Sequence, residues 1–444
     1  MLEKFNINLI NKNDSLLLAV SGGIDSMVML DYLTKLKNSM NLKLSVAYVD
    51  HQKREESYLD FQLIDETCKK YKIPLYSTKL KYKDQINFHN YAHKKRYDFF
   101  ADICIKIQAT KVLLAHNAND NAETITMRLV RGSSFEGYRG ILPISLYRGI
   151  IIIRPLLNIS RNEIKAYQEQ HNIKFNEDSS NLEDDYTRNR YRHYVLPIFE
   201  QENPKYLDKF LQFSHYQSIA YQLIKKTTDV FLNNYLNKTN QGYSLNVNDF
   251  KSQDEIIQIE TIKYIVNKMT NNSVELTYKN LIDINNLFYN KKPHVEMKLN
   301  DKLFVYKTYN LMYFENKKPK EFSFNFLVSN ETTITLPNSD LVIITKKPNK
   351  YYDIIFKLCY NNLDSIFPLT IRNRIDGDKV KTTSGTKKLK NIFINKKIPK
   401  LIRNQIPVIL NKNNKIIFVP NIYKAKTEGD HCIYIIYLEG KKNA

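Results

Sequence analysis

Short, unbroken apolar runs alternate with amphipathic stretches through the first two hundred residues of the chain. The runs are Ser15-Leu16-Leu17-Leu18-Ala19-Val20, Leu44 to Val49, Pro74 to Thr78, Val112 to Ala115 and Ile150-Ile151-Ile152-Ile153. Such runs, without polar alternation, suit strands covered on both faces. Between them apolar residues recur at helical spacing: Met29, Leu33, Leu36 and Met40 after the first run, then near Glu56–Tyr71, Asn90–Ile107 and Asn119–Arg131. This rhythm predicts an α/β domain on a doubly wound parallel sheet, whose ligands sit beyond the carboxyl ends of the strands. From about Tyr206 to Phe288 the pattern turns helical, with Phe210, Phe213, Ile219 and Leu223, then Ile256, Ile259, Ile262 and Ile265. Short alternating runs follow, at Lys302–Tyr306, Thr333–Leu336 and Leu341–Thr345. Three domains are expected: 1–210 holding the parallel sheet, a mainly helical 211–320, and a small α+β module at 321–444.

With 444 residues, 43% of them hydrophobic, the chain can bury several cores. A formal charge of +21 suggests a polyanionic partner. A lysine-, asparagine- and isoleucine-rich chain without Trp is also what an AT-rich genome yields, so clustering matters more than the total. From Ile371 to Lys426, fifteen Lys and Arg face only Asp376 and Asp378, which favours a nucleic-acid surface in the last module. The first twenty residues contain a single six-residue apolar run, so neither a signal peptide nor a membrane partner is expected. Cys68, Cys104, Cys359 and Cys432 lie far apart with no Cys-x-x-Cys pair. The expectation is a reducing cytoplasm, four ordinary thiols and no structural zinc. His89 and His93 stand four apart, but Asn90 replaces the glutamate of a His-Glu-x-x-His zinc site.

The chemistry begins where the first run ends, at Ser21-Gly22-Gly23-Ile24-Asp25-Ser26. A glycine pair between strand and helix lets backbone N–H groups approach a phosphate, and the helix start adds orphan donors. Ser21 and Ser26 supply hydroxyls, and Asp25 is the carboxylate that a Mg²⁺–pyrophosphate needs. A plain glycine turn is the alternative, but strand, loop and helix signals agree. The one Gly-Lys pair, Gly440-Lys441, lacks the rest of a Walker loop, and no Gly-x-Gly-x-x-Gly fingerprint occurs. The Ser-Gly-Gly-x-Asp-Ser order resembles the loop of the N-type ATP pyrophosphatases. After the fourth run comes His116-Asn117-Ala118-Asn119-Asp120-Asn121-Ala122-Glu123-Thr124, with Asp120, Glu123 and Thr124 on one helical face. These acids suit Mg²⁺ or an ammonium, and Arg128 or Arg131 suits a phosphate. Taken alone, an acidic first turn also merely suits the helix dipole. Tyr186-Thr187-Arg188-Asn189-Arg190-Tyr191-Arg192-His193 sets three arginines within five residues, fit for phosphate forks or simply a solvated helix start.

The order of these motifs is similar to that of the tRNA(Ile)-lysidine synthetases. It runs through the Ser21–Ser26 loop, Tyr48-Val49-Asp50-His51 with Arg54, Arg96-Tyr97-Asp98-Phe99, and His116 to Thr124. It continues through Arg131-Gly132-Ser133, Arg154-Pro155-Leu156, Asn176-Glu177-Asp178-Ser179-Ser180-Asn181 and the Thr187–His193 block. In the last module Arg372-Asn373-Arg374, Gly377-Asp378, Lys388-Leu389-Lys390 with Phe393, Ile398-Pro399 and Arg403 match that family's C-terminal domain. The family usually reads His-His-x-Asp-Asp-Gln-x-Glu-Thr after the fourth strand; here Asn117, Asn119 and Asn121 replace the second His, the first Asp and the Gln. The resemblance implies ATP and Mg²⁺ as cofactors, free L-lysine and a CAU-anticodon isoleucine tRNA as partners, and lysidine, AMP and pyrophosphate as products. It implies that Ser21, Gly22, Gly23, Ile24, Asp25 and Ser26 hold ATP and that Asp25 holds the metal. Backbone near Tyr48 would read adenine. Asp120 and Glu123 would position lysine, and Arg188, Arg190 and Arg192 would grip the anticodon stem or the adenylated base. A tRNA thiolase would want a reactive cysteine near these motifs. A silent RNA-binding protein would not need Asp25 and Ser26 intact.

Overall fold

The computed structural model describes residues 2–52, 57–80, 88–177, 183–274, 276–301, 303–318, 322–348, 351–361, 366–383 and 385–440. Arg54, Asp178, Ser179, Ser180, Asn181 and Lys441, named above, lie outside the described residues. The chain divides into two compact units, Met1–Leu223 and Ile224–Ala444.

In the first unit β1 (Ser15–Ala19), α1 (Ile24–Leu36), β2 (Lys43–Asp50), α2 (Ser57–Tyr71), β3 (Leu75–Lys79), α3 (Phe88–Ile107), β4 (Lys111–Leu113) and α4 (Ala118–Arg131) alternate as expected. They are followed by β5 (Ile144–Tyr147), β6 (Ile150–Ile153) and α5 (Arg161–His171). The six strands form one sheet in the order β3-β2-β1-β4-β6-β5. β1 pairs in parallel with both β2 and β4, so the winding reverses between β1 and β4. That reversal is the switch point where such sheets bind ligands. The antiparallel hairpin of β5 on β6 was not anticipated.

The first apolar run is explained by burial on both faces. Leu16 and Leu18 pack with Met29, Leu33 and Ile164 on one side, while Leu17 packs with Tyr97, Phe100 and Cys104 on the other. After α5 come α6 (Thr187–Arg190), a π-helical turn at Tyr191–Val195, α7 (Leu196–Glu202) and the long α8 (Tyr206–Tyr235).

In the second unit β7 (Asn237–Thr239), β8 (Gly242–Asn246), β9 (His294–Asn300), β10 (Leu303–Thr308) and β11 (Leu311–Glu315) form an antiparallel sheet in the order β7-β8-β11-β10-β9. Helices α9 (Val247–Lys251), α10 (Glu255–Thr270) and α11 (Tyr278–Tyr289) pack on it through Phe250, Ile262, Ile265, Phe288 and Phe314. The segment expected to be mainly helical therefore carries a sheet as well. A separate core, including Val342, Ile371, Phe418 and Ile435, joins the strands from β12 (Asn325–Val328) onward. These are β13 (Thr332–Thr335), β14 (Leu341–Thr345), β15 (Ile355–Tyr360), β16 (Leu369–Arg372), β19 (Val408–Leu410), β20 (Ile416–Val419), β21 (Tyr423–Lys424) and β22 (His431–Leu438). The ribbon of β17 (Lys379–Thr382) and β18 (Gly385–Lys388) precedes the short helices α12 (Leu389–Asn395) and α13 (Lys400–Arg403).

Cys359 and Cys432 correct the expectation of four free thiols: they face each other across β15 and β22 and are joined as a disulfide. Their separation of 73 residues hides a pairing that strand register creates. Cys68 and Cys104 are free and buried. Among the described residues no helix is long and apolar enough to cross a membrane. Leu17 is fully buried at the centre of the sheet, so Leu17→Ala should lower the stability of the first unit by about 2–5 kcal/mol in urea unfolding. A loss under about 1 kcal/mol would mean that the site collapses around the cavity.

Candidate active site

At the end of β1 the chain turns tightly into α1. Ser21 N–H donates to Ser26 Oγ at 3.1 Å, and Ser26 Oγ donates to the Gly23 carbonyl at 2.9 Å. Gly22 sits at φ +87°, where any added Cβ would lie 3.0 Å from Asp60 Oδ1, so only glycine fits. Among the described residues the N–H groups of Gly22, Gly23, Ile24 and Asp25 have no acceptor. Four unpaired donors at one helix start form an anion cradle. Gly23 and Asp25 among them border a pocket of about 240 Å³, lined also by Ser21, Ser26, Ala47, Val49, His51, Arg96 and His116. Ala47 and Val49 flank Tyr48 at the carboxyl end of β2, whose own ring is buried.

Asp25 and Asp120 are linked through Asn117. Asn117 is fully buried, and its Nδ2 donates to Asp25 Oδ1 at 3.1 Å. It also caps α4 reciprocally with Asp120: Asp120 N–H donates to Asn117 Oδ1, and Asn117 N–H to Asp120 Oδ2, both at 3.0 Å. Burial, and then the neighbouring Asp120 carboxylate, push Asp25 up to about 6, against the pull of Arg161, Asn117 and Arg192. Two neighbouring carboxylates suit a divalent cation. Mg²⁺ takes only one or two protein carboxylates when phosphates supply the rest, so Asp25 and Asp120 fit it. Among the described residues no group of three or more His, Cys, Asp or Glu is arranged to hold a metal by itself.

Glu123 has no solvent exposure, and two arginines share its carboxylate. Arg188 Nε donates to Oε2 at 2.6 Å and Arg192 Nε to Oε1 at 2.8 Å. Both guanidinium groups also stand 3.8 Å from Asp120 Oδ1. Burial opposes the charge on Arg188, but Asp120 and Glu123 outweigh it and raise its pKa. Both carboxylate oxygens of Glu123 thus meet arginine donors. Arg190 is not brought to this cluster. Its guanidinium donates to the carbonyls of Asp184 and Asp185 and to Thr187 Oγ1. Arg188 and Arg192, four apart, share a face that Arg190 does not, and that spacing was the available signal. Arg128 is also spent, donating to the Gly137 and Gly140 carbonyls rather than facing a phosphate.

The other two asparagines are structural ties. Asn119 Oδ1 accepts from Arg161 N–H at 2.9 Å, and Asn121 Oδ1 from Ile141 N–H at 2.7 Å. Arg161, which the motif reading did not include, brings its guanidinium 3.9 Å from Asp25 Oδ2. On the opposite wall Arg96 Nε is buried without a partner among the described residues. His116 Nδ1 accepts from Arg154 Nε at 3.2 Å, which leaves the ring proton on Nε2. Burial, with Arg154, Arg188 and Arg96 nearby, drives His116 down to about 3, so it is neutral at working pH.

A phosphate cradle at the switch point of a parallel sheet, with paired acids beside it, is the arrangement of a nucleotide-binding class of protein, and residues 1–199 match the PP-loop domain family. Residues 369–437 match the TilS substrate C-terminal domain. The chain is 33% identical to a tRNA(Ile)-lysidine synthase of Bacillus cereus, over 92% of this chain and 89% of that protein. It therefore belongs to the tRNA(Ile)-lysidine synthase family. It is also 32% identical to the bifunctional protein TilS/HprT of Listeria monocytogenes, covering 94% of this chain but only 66% of that longer protein. A solved TilS C-terminal domain aligns along its whole length with 27% of this chain, at 28% identity and a TM-score of 0.23.

His116 supplies a pH test. Unfolded, it takes a proton near 6.5; folded, it resists until about 3. Between those values the unfolded state binds the extra proton, so acid destabilises the first unit, by up to about 1.4 kcal/mol per pH unit. Asp25 acts in the opposite sense between about 6 and 3.8, so only comparison with a variant isolates His116. His116→Gln should flatten the fall in stability from pH 7 to pH 5 in urea melts. Parallel curves for the two proteins would assign the acid sensitivity to another group.

Proposed function

We propose that the chain ligates free L-lysine to the position-2 carbon of the wobble cytidine in a CAU-anticodon isoleucine tRNA, splitting ATP to AMP and pyrophosphate. The observation that carries this reading is the adjacency of the unpaired loop amides to the Asp25–Asn117–Asp120 chain, since adenylation needs a held triphosphate beside acids. The family membership supplies the substrate. In the first step the cytidine O2 attacks the α-phosphorus, and the bond to pyrophosphate breaks. In the second the lysine Nε, having lost a proton, attacks C2, and the C2–O bond breaks to release AMP.

In this reading the amides of Gly22 to Asp25 and the hydroxyls of Ser21 and Ser26 hold the β and γ phosphates. Asp25 and Asp120 would hold Mg²⁺, which neutralises charge on the departing pyrophosphate. Backbone beside Ala47 and Val49 reads adenine. His116, with its proton on Nε2, is a donor toward the α-phosphate or O2 and not a base. Arg96 has an unmet donor for the same oxyanions. Arg188 and Arg192, fixed by Glu123, face the RNA, and the lysine is positioned at the start of α4, beside Asp120 and Glu123. We place the reaction in the cytoplasm, where its substrates occur. Sulfur delivery is the poorer reading. Burial pushes the Cys68 thiol up to about 12, with Asp65 adding to it, and burial alone takes Cys104 to about 11. Cys359 and Cys432 are oxidised together.

The direct test is ATP-dependent incorporation of radiolabelled lysine into transcribed isoleucine tRNA. Incorporation that is absent, or that does not require the CAU anticodon, would defeat the proposal. Asp25→Asn should abolish AMP and pyrophosphate formation while tRNA affinity stays within a few-fold; turnover near the wild-type rate would remove Asp25 from the chemistry.

The C-terminal module separates two kinds of cation. Lys388 and Lys390 are exposed, whereas Arg403 donates from Nε to the Ile398 carbonyl at 2.8 Å and from Nη2 to Tyr309 Oη at 3.0 Å. Lys388→Glu and Lys390→Glu should weaken tRNA binding and reduce its salt dependence by about one counterion each. Arg403→Gln should instead lower thermal stability. Equal effects of all three on tRNA affinity would reduce the module to diffuse charge.

A further inference from the structure

We propose that Asn176 and Asp60 form a clamp that fixes the orientation of the peptide between Gly22 and Gly23, and so sets the affinity of the loop for phosphate. The inference rests on the reading of that loop as the ATP cradle and adds two positioning residues to it. Asn176 lies beyond α5 and Asp60 on α2, and neither lines the pocket.

Asn176 N–H donates to the Gly22 carbonyl at 3.0 Å. Its side-chain Nδ2 donates to Asp60 Oδ1 at 2.8 Å, so the segment that supplies the backbone donor is itself anchored. Asp60 is nearly buried, and its carboxylate packs against Gly22, within 3.0–3.2 Å of where a Cβ would stand. Across a planar trans peptide the C=O and the next N–H point in opposite directions. Turning the Gly22 carbonyl toward Asn176 therefore turns the Gly23 N–H the other way, and Gly23 is a wall residue of the pocket. Two successive glycines make this peptide easy to rotate. Unclamped, it can present its carbonyl to the phosphates, replacing an attraction by a repulsion. Asp60 thus closes the backbone of Gly22 from one side and holds its hydrogen-bond donor from the other.

The test is the affinity of the full-length protein for ATP with Mg²⁺, measured by calorimetry without lysine or tRNA. Asp60→Ala and Asn176→Ala should each weaken ATP binding roughly tenfold, the scale of one lost hydrogen bond to a charged group. Affinity for tRNA should stay within twofold. Asp60→Asn keeps an oxygen for the Asn176 amide and should restore ATP affinity to within about threefold of the wild type. Should Asp60→Ala fail to fold, Asn176→Ala, which removes the side-chain donor and adds no charge, gives the same reading. Unchanged ATP affinity in folded variants overturns the clamp, as does Asp60→Asn binding as poorly as Asp60→Ala, or an equal loss for ATP and tRNA. A protein that binds ATP but ligates no lysine would sink the ligase reading alone, because the calorimetric comparison needs neither lysine nor tRNA.

Discussion

A carboxylate without solvent contact is tolerable only when its charge is met, and in the first unit that requirement falls on Glu123. Arg188 and Arg192 meet it, Arg188 at one oxygen and Arg192 at both, and in doing so they bind the segment after α5 to the helix after β4. The same two guanidinium groups reach Asp120, which caps α4 with Asn117, and Asn117 in turn reaches Asp25 at the cradle. One buried charge thus connects elements more than 160 residues apart in the chain, from Asp25 to Arg192, into a single electrostatic unit. Removing one partner would leave an uncompensated charge inside the protein, a larger loss than any surface ion pair could cause.

The parallel sheet was legible because its central strand is covered on both faces, so Leu16-Leu17-Leu18 reads as an unbroken apolar run. The edge strand Ile144–Tyr147 was not, since Leu146 is 72% exposed and the segment is short. The cradle was legible because glycine and hydroxyl residues have to be consecutive in sequence to make it. The arginine cluster was only half legible: three arginines were visible, but the face shared by Arg188 and Arg192 is decided by the buried acid they meet. The Cys359–Cys432 bond was hidden for a related reason, as strand register is a property of a sheet and not of spacing along the chain. In these last two cases the contact that escaped the sequence joins residues far apart in it.

Of the three asparagines in the family's His, Asp and Gln positions, Asn119 is the one that removes a negative charge, where such charge is already crowded. A carboxylate at position 119 would add a third acid close to Asp25 and Asp120, where burial and then the Asp120 charge already raise Asp25 to about 6. Asn119 instead bonds the Arg161 backbone and Tyr206 Oη, and Asn121 bonds the Ile141 backbone. The chain keeps the framework bonds of a polar side chain there and forgoes the charge. A site with fewer acids relies more on its arginines and its backbone donors to balance a bound triphosphate.

That balance makes backbone orientation more consequential. Side-chain cations can swing to meet a phosphate, but four amides of a glycine-containing turn can bind one only if they already converge. Preorganisation of this kind has to come from outside the pocket, because any side chain inside it would occupy the ligand's space. Gly22 illustrates the arrangement: its φ of +87° excludes a side chain of its own, while Asp60 and the Asn176 backbone hold it from behind. The residues that give the loop its shape are thus separated from those that touch the ligand. Asn176 belongs to a motif that is polar and distant in sequence, and its place behind the cradle gives that motif a physical reason to keep its side chain.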